Sequence, residues 1–463
     1  MQTPDTERMT ATEARAAISL ALVFAFRMLG MFMVLPVLAT YGQELAGATP
    51  ALIGLAIGAY GLTQAILQIP LGMLSDRIGR LPVIYLGLLV FAAGAVVAAS
   101  ADSIWGVIAG RIIQGAGAIS AAVMALLSDL TREQHRTKAM AVIGMTIGLS
   151  FAVAMITGPV LTRIFGLSGL FWATALMAIA GMLVVFQTPR ANALLMHRDS
   201  GVAPLALRST LRNPDLLRLD FSIFVLHAVL MASFVALPLA LVEQGGLPRE
   251  QHWPVYLGTL CLGFISMVPF ILYGEKKRQM KRVLLGAVGL LLGCELFFLI
   301  AGNGLWTLAM GMLLFFTAFN LLEASLPSLI SKVAPAGGKG TAMGVYSTSQ
   351  FLGAALGGML GGWLFQQGGS TLVFAGCTLL CLLWLWAVWH MNEPPYVTSL
   401  RIPVDPALMS TALEVQLRAV EGVAEVQWIP EEQAVYLKVD RQQLDPGALE
   451  QLLGPVPAAG STA

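Results

Sequence analysis

The run Ser75-Asp-Arg-Ile-Gly-Arg80 sets three charges between two apolar stretches, LTQAILQIPLGML before it and LPVIYLGLLVFAAGAVVAA after it. Across all 463 residues, 57% are hydrophobic and 11% charged, whereas soluble domains carry roughly 25% charged residues. Apolar segments recur near 17–40, 50–75, 82–100, 104–127, 138–162, 168–187, 219–242, 253–273, 283–301, 305–330, 341–366 and 370–391. About 20 apolar residues cross a hydrocarbon core as a helix. Backbone in hydrocarbon must satisfy its own hydrogen bonds, and these segments are too long and too evenly apolar for barrel strands. The expected class is an all-α membrane protein with twelve transmembrane helices.

The formal net charge of +1 gives no footing for a nucleic-acid partner, but the placement of the charges is informative. Basic residues mark cytoplasmic loops. Loops after the even-numbered spans hold Arg77, Arg80, Arg132, Arg136, Lys138, Arg190, Arg198, Arg208, Arg212, Arg218, Lys276, Lys277, Arg278, Lys281, Arg282, Lys332 and Lys339; the other side has Arg163 and Arg249. Both termini are therefore expected in the cytoplasm, and the chain in a plasma membrane. The first span is longer than a signal h-region, has no small-residue cleavage site after it, and is expected to stay. Cys261, Cys294, Cys377 and Cys381 all fall inside spans, with neither metal spacing nor a disulfide framework. No cofactor is implied.

The membrane part reads as two degenerate copies. MFMVLPVLATYG in the first span is echoed by ASFVALPLALVE in the seventh, placing Pro36 opposite Pro238. QIPLGMLSDRIGR likewise has a partner in MVPFILYGEKKRQ, with Asp76 opposite Glu275 and Arg77 opposite Lys276. Two six-helix halves place a substrate site at their interface near the bilayer midplane. The expected boundaries are 1–188 for the first bundle, 189–218 for a cytoplasmic connector and 219–393 for the second bundle. After Pro394-Pro395 the pattern turns soluble, in the order β-α-β-β-α. That order over 397–455 predicts a small cytoplasmic α+β domain of ferredoxin-like type, similar in outline to heavy-metal-associated domains. Those carry Cys-x-x-Cys in the first strand-to-helix loop; here the loop reads Asp405-Pro-Ala-Leu-Met-Ser410, which favours a regulatory or interaction appendage over metal delivery.

Read in full, the opening stretch is Gly72-Met-Leu-Ser-Asp-Arg-Ile-Gly-Arg-Leu-Pro-Val-Ile84. It resembles the signature between the second and third spans of the major facilitator superfamily, G-x-L-x-D-R-x-G-R-[RK]-x-x-[IL], with Leu81 where a base is usual. Together with RMLGMFMVLPVL, ALLSDLTREQHRTKAMA, KGTAMGVYSTSQFLG and the extra C-terminal module, the chain looks like the YajR branch of proton-linked drug efflux transporters. The resemblance implies a conformational latch: Asp76 toward the start of the eleventh span, and Arg80 toward Asp129, with Arg77 beside them. The alternative is that Arg77 and Arg80 only anchor the topology.

Ionisable groups inside spans are costly and point to function. Arg27, Arg111, His227 and Glu323 fall in the first, fourth, seventh and tenth spans, the helices that line the central cavity in the superfamily. Arg111 sits in RIIQGAGA, similar to the R-x-x-Q-G motif associated with proton transfer. A guanidinium stays charged, so Glu323 is the first candidate for proton coupling and His227 the second. For Arg27, substrate contact and a purely structural pairing stay equally open. Glu295, on an outer helix, is expected to snorkel or pack. Gly158 and Pro159 in the fifth span match part of an antiporter motif, and their small size also suits close helix crossing. GAALGGMLGG in the eleventh span reads as a packing face.

The expected function is secondary transport by alternating access, a proton-coupled antiporter exporting small amphiphilic compounds. A proton- or sodium-coupled nutrient symporter and a membrane sensor signalling through the C-terminal domain remain alternatives. No enzyme constellation is present, and GGKGT at 337–341 lacks the Ser or Thr of a phosphate-binding loop. Substrate identity and oligomeric state are not legible.

Overall fold

A computed structural model describes residues 9–189, 204–301, 304–335, 338–404, 410–429, 434–440 and 443–453. Helix α1 (Ala11–Phe32) opens on a capping box, in which Thr10 accepts the Glu13 amide at 3.2 Å and Glu13 accepts the Thr10 amide at 2.8 Å. The first apolar segment then breaks and resumes as α2 (Leu35–Tyr41). Pro36 has no N–H for the Phe32 carbonyl, and its ring crowds that oxygen. Helices α3 (Pro50–Ile78) and α4 (Arg80–Ala99) meet at Gly79, whose φ of 100° is open to glycine and strained for other residues. The fourth segment is split into α5 (Ile104–Ala116) and α6 (Ser120–Leu130). Helix α7 (Glu133–Phe186) carries the fifth and sixth segments through a kink at Gly166.

Helix α8 (Pro204–Thr210) lies in the expected connector, most of whose remainder, residues 190–203, falls outside the described residues. Helix α9 (Pro214–Glu243) starts earlier than expected, at an Asn-Pro signal: Asn213 Oδ1 accepts the amides of Asp215 and Leu216 at 3.0 and 3.3 Å. It is followed by α10 (His252–Lys276), α11 (Met280–Ile300), α12 (Leu305–Val333) and α13 (Lys339–Trp389), the last broken at Gly368 and Gly369. Among the described residues, ten helical segments are long and apolar enough to cross a membrane. One continuous apolar core joins α1 to α13.

A second core belongs to the C-terminal module. Its elements are β1 (Thr398–Pro403), α14 (Thr411–Ala419), β2 (Val423–Ile429), β3 (Ala434–Val439) and α15 (Pro446–Leu453). Strand β3 is buried along its whole length because it lies between the other two, in the order β1-β3-β2 with both pairings antiparallel. The loop at 405–409, on which the comparison with metal-carrying domains turns, is outside the described residues.

This module is seated on the turn between α10 and α11. Arg278 there has φ 53°, the one non-glycine with positive φ among the described residues, and it stands opposite Gly79 in the repeat. Its guanidinium makes a bidentate pair with Asp440 at 2.7 and 2.8 Å. Tyr396 Oη accepts the Met280 amide at 2.8 Å, its ring lies 5.4 Å from the Arg278 guanidinium, and Lys438 Nζ donates to the Lys332 carbonyl at 3.1 Å. The docking is therefore polar, and it is separable from the folding of either part. Asp440→Asn combined with Tyr396→Ala should raise the rate of protease cleavage at 393–397 several-fold, with the melting temperature of the membrane part unchanged; electrophoresis of timed digests reads the first and a thermal scan the second.

Candidate functional site

The first half, α1 to α7, buries two guanidiniums. Arg27, 1% exposed on α1, donates Nη1 to Ser120 Oγ at 2.7 Å and its other terminal nitrogen to Gln64 Oε1. Gln64 in turn donates to Gln68 at 3.2 Å. The break before α6 places Ser120 at a helix start, where it can reach across to α1. Arg111, also 1% exposed, donates Nε to the Ala56 carbonyl at 3.3 Å and Nη1 to Gln114 Oε1 at 3.2 Å, with its guanidinium 4.8 Å from the Tyr60 ring centroid. Among the described residues neither has a carboxylate partner. Both charges are held by amide and carbonyl dipoles, and both stay charged at any working pH.

The second half, α9 to α13, brings the two titratable candidates together through a residue that the sequence reading passed over. Gln350 on α13 places its amide nitrogen 2.9 Å from His227 Nε2 and donates to Glu323 Oε1 at 3.4 Å. His227 Nδ1 lies 3.3 Å from the Ile223 carbonyl one turn back. With Nδ1–H donated there, Nε2 carries a lone pair and accepts from Gln350, so the ring is neutral. Glu323 Oε2 lies 3.9 Å from His227 Nε2 and has no hydrogen-bond partner among the described residues, while the side chain as a whole is 31% exposed. A carboxylate, an imidazole and a bridging amide, one from each of three helices, can exchange a proton without moving the backbone. The signal for Gln350 was an amide well inside an apolar span. Glu295 is fully buried and accepts from Ser233 Oγ at 3.3 Å, so of the two expectations for it, snorkelling and packing, the structure shows packing.

Aromatic rings close the space between the halves beside this group. Phe32 meets Phe151 at 5.0 Å between centroids, Phe151 lies 5.9 Å from Phe319, and Phe319 lies 6.0 Å from the His227 ring. Gly158 packs on the break in the first span, where an added Cβ would sit 2.6 Å from the Met33 carbonyl oxygen. Pro159 follows it inside α7.

At the Ser75–Arg80 end, Arg80 is 7% exposed and reaches Asp129 at 3.3 Å, Ser75 Oγ at 2.8 Å and the Asp76 carboxylate. Among the described residues Asp76 thus pairs inside its own half. Arg77 is exposed, and Leu81 packs partly buried against the apolar core. The pairs Glu13–Arg132 and Glu275–Lys332 at this end also stay within one half. The opposite end joins the halves. Glu44 meets Arg249 at 2.7 Å, the Arg249 guanidinium stacks 3.9 Å from the Tyr41 ring centroid, and Gln366 Oε1 accepts the Ala51 amide at 3.2 Å. Beside them α3 and α13 touch through glycine, an added Cβ at Gly54 lying 2.6 Å from Gly362 Cα.

Comparison with known proteins places this architecture. The sequence model of the Major Facilitator Superfamily matches residues 20–358 and 324–420. The inner membrane transport protein YajR of Escherichia coli (strain K12) is 52% identical over 448 residues, 96% of this chain and 98% of that protein. The multidrug resistance protein MdtH of Yersinia pestis (strain Pestoides F) is 26% identical over 345 residues, 73% of this chain and 84% of that protein. Among solved structures, the human organic anion transporter MFSD10 (TETRAN) superposes with a TM-score of 0.61 at 22% identity, and the nucleoside transporter NupG with 0.63 at 14%, each over 82% of this chain and all of theirs. Those likenesses concern the fold. The chain belongs to the Major Facilitator Superfamily, whose members are membrane transporters and not enzymes.

Proposed function

We propose that the chain is a proton-coupled antiporter of a bacterial inner membrane that exports small amphiphilic compounds by alternating access. The observation that carries this reading is the group His227, Gln350 and Glu323, a proton-exchanging constellation set among apolar rings beside the junction of the two halves. Arg27 and Arg111 supply fixed positive charge on the facing half. The names of YajR and MdtH, an inner membrane transport protein and a multidrug resistance protein, support the location and the substrate class.

Counting α7 and α13 as two spans each brings the ten long helices to twelve. Twelve spans support a division into bundles at 1–188 and 219–393, joined by 189–218, although α9 already begins at Pro214. Strand order β1-β3-β2 with α14 between β1 and β2 supports the ferredoxin-like assignment for 397–455. The basic loops put the Ser75–Arg80 end and both termini in the cytoplasm. On that assignment the closed end faces outward, so the conformation is inward-facing. The Arg80–Asp129 pair is then the part of the latch kept inside one half, and Asp76 would engage α13 only on closure at the cytoplasmic end.

Glu323→Gln should lower pH-gradient-driven ethidium transport in proteoliposomes about tenfold or more, the scale of a lost proton-transfer group. Transport unchanged from wild type would sink the coupling role. The outer junction gives a separate expectation. With spin labels at Gln43→Cys and Glu243→Cys, Glu44→Arg or Arg249→Glu should move the distance distribution toward outward-open by a factor of about five, the scale of an exposed ion pair, and the double swap should restore it.

A further inference from the structure

Helix α9 carries a second buried acid. Asp220 lies seven residues before His227, two turns or about 10 Å along one helix face. It is 5% exposed, and neither carboxylate oxygen has a hydrogen-bond partner among the described residues. The nearest base along the helix, Arg218, is engaged with Asp215 at 2.8 Å, and Asp215 also accepts from Asn392 at 2.7 Å. Helix α9 is packed against α12 and α13. From α13 the titratable group turned toward Asp220 is Tyr346, 3% exposed, whose hydroxyl lacks a hydrogen-bond partner and lies in electrostatic reach of both Asp220 and Glu323. From α12, Glu323 lies in electrostatic reach of the same tyrosine. No cation pairs with Asp220 among the described residues.

The order of these groups follows from the packing. Gly353 meets Phe224, Gly357 meets Ala228 and Gly361 meets Ala232, so α9 and α13 run parallel. Tyr346 precedes Gln350 by one turn and Asp220 precedes His227 by two. Asp220, then Tyr346, then the group of Gln350, His227 and Glu323 therefore form a line running inward from the Ser75–Arg80 end. Asp220, Tyr346 and Glu323, on three helices, each keep a polar atom with no hydrogen-bond partner among the described residues, which is not the pattern of a finished packing contact. An ionised carboxylate with neither donor nor cation beside it is costly in a buried site, and the species that neutralises it with least rearrangement is a proton.

We infer that Asp220 is a second proton-binding acid of the carrier, lying between Glu323 and the Ser75–Arg80 end, with Tyr346 as the positioning residue between the two carboxyls. This rests on Glu323 being the coupling acid. In the step itself Glu323 loses its proton and becomes the carboxylate, the Asp220 carboxylate gains it and becomes the acid, and the Tyr346 hydroxyl ends as it began. Asp220 then releases the proton at the Ser75–Arg80 end.

The test uses the full chain. Infrared spectra of purified protein should show a carboxylic-acid carbonyl band that Asp220→Asn removes, distinct from the one removed by Glu323→Gln. In proteoliposomes, Asp220→Asn should lower pH-gradient-driven ethidium transport about tenfold, leave ethidium exchange at equal pH as in wild type, and be rescued by Asp220→Glu. Tyr346→Phe should alter the pH at which the Asp220 band is lost. The inference is overturned if Asp220→Asn removes no acid band, if it leaves net transport at the wild-type level while Glu323→Gln abolishes it, or if net transport and exchange fall together without rescue. Unaltered coupling in Glu323→Gln instead overturns the assignment of Glu323, and the relay with it, whatever Asp220→Asn does.

Discussion

Helix α13 meets two neighbours at backbone distance, and the bundle is arranged around that constraint. One face, Gly353, Gly357 and Gly361, lies on α9 of the same half; the adjoining face, Gly358 and Gly362 with Ala355, lies on α3 of the other half. Helices in lipid gain no hydrophobic free energy from contact with one another, so close van der Waals packing must hold them, and only the smallest residues allow it. A Cβ at Gly362 would stand 2.7 Å from Gly54 Cα, and one at Gly361 2.7 Å from Ala232 Cα. The contact to α9 keeps His227 and Gln350 in register, while that to α3, through Gly54, Gly58 and Gly61, joins the two halves beside the Glu44–Arg249 junction.

The division of charge between the halves follows the same logic. Arg27 and Arg111 are locked by Ser120, two glutamines and a carbonyl on helices of one half, and a guanidinium does not respond to pH. The groups assigned above to proton exchange, His227, Glu323 and Asp220, are carried by α9 and α12 of the other half. A carrier coupled to protons needs one side whose field is constant and one whose charge can be altered. Placing the two on separate rigid bodies lets a change of protonation act on their relative position instead of on the fold of either.

Much of this was legible from the chain, and what was not has common causes. Periodicity and length gave the spans, and the glycines of GAALGGMLGG were readable as a packing face because their spacing is local. The approach of Arg80 to Asp129 was implied by the family resemblance carried by the Gly72–Ile84 motif, whose turn is made by Gly79. Gln350 and Asp220 were passed over because a single polar residue in an apolar segment declares neither its depth nor its neighbours. The Glu44–Arg249 junction was hidden for another reason: it joins loops about 200 residues apart, and it depends on which end of the carrier is closed. Snorkelling and packing were both open for Glu295 from the position of its helix, and a fully buried Ser233 hydroxyl supplies a hydrogen bond that makes burial tolerable.

The turn that opened the reading occurs twice, and its two copies have diverged in a physically interpretable way. In the first half, glycine at position 79 takes the positive φ without strain, and the following Arg80 is free to turn inward to Asp76, Ser75 and Asp129. In the second half Arg278 stands at the glycine position and bears an unfavourable φ of 53°. Strain of that kind persists only where surrounding contacts hold it: the end of α10 supplies the Gln279 amide to the Gly274 carbonyl at 2.9 Å, and the C-terminal module adds the bidentate pair to Asp440 and the ring of Tyr396. A glycine at 278 would make the turn easily and would have no side chain to offer the C-terminal module. Among the described residues the Arg278 side chain therefore ties the module to the second half, so that any displacement of α10 and α11 during transport must carry the module with it or break the Asp440 pair.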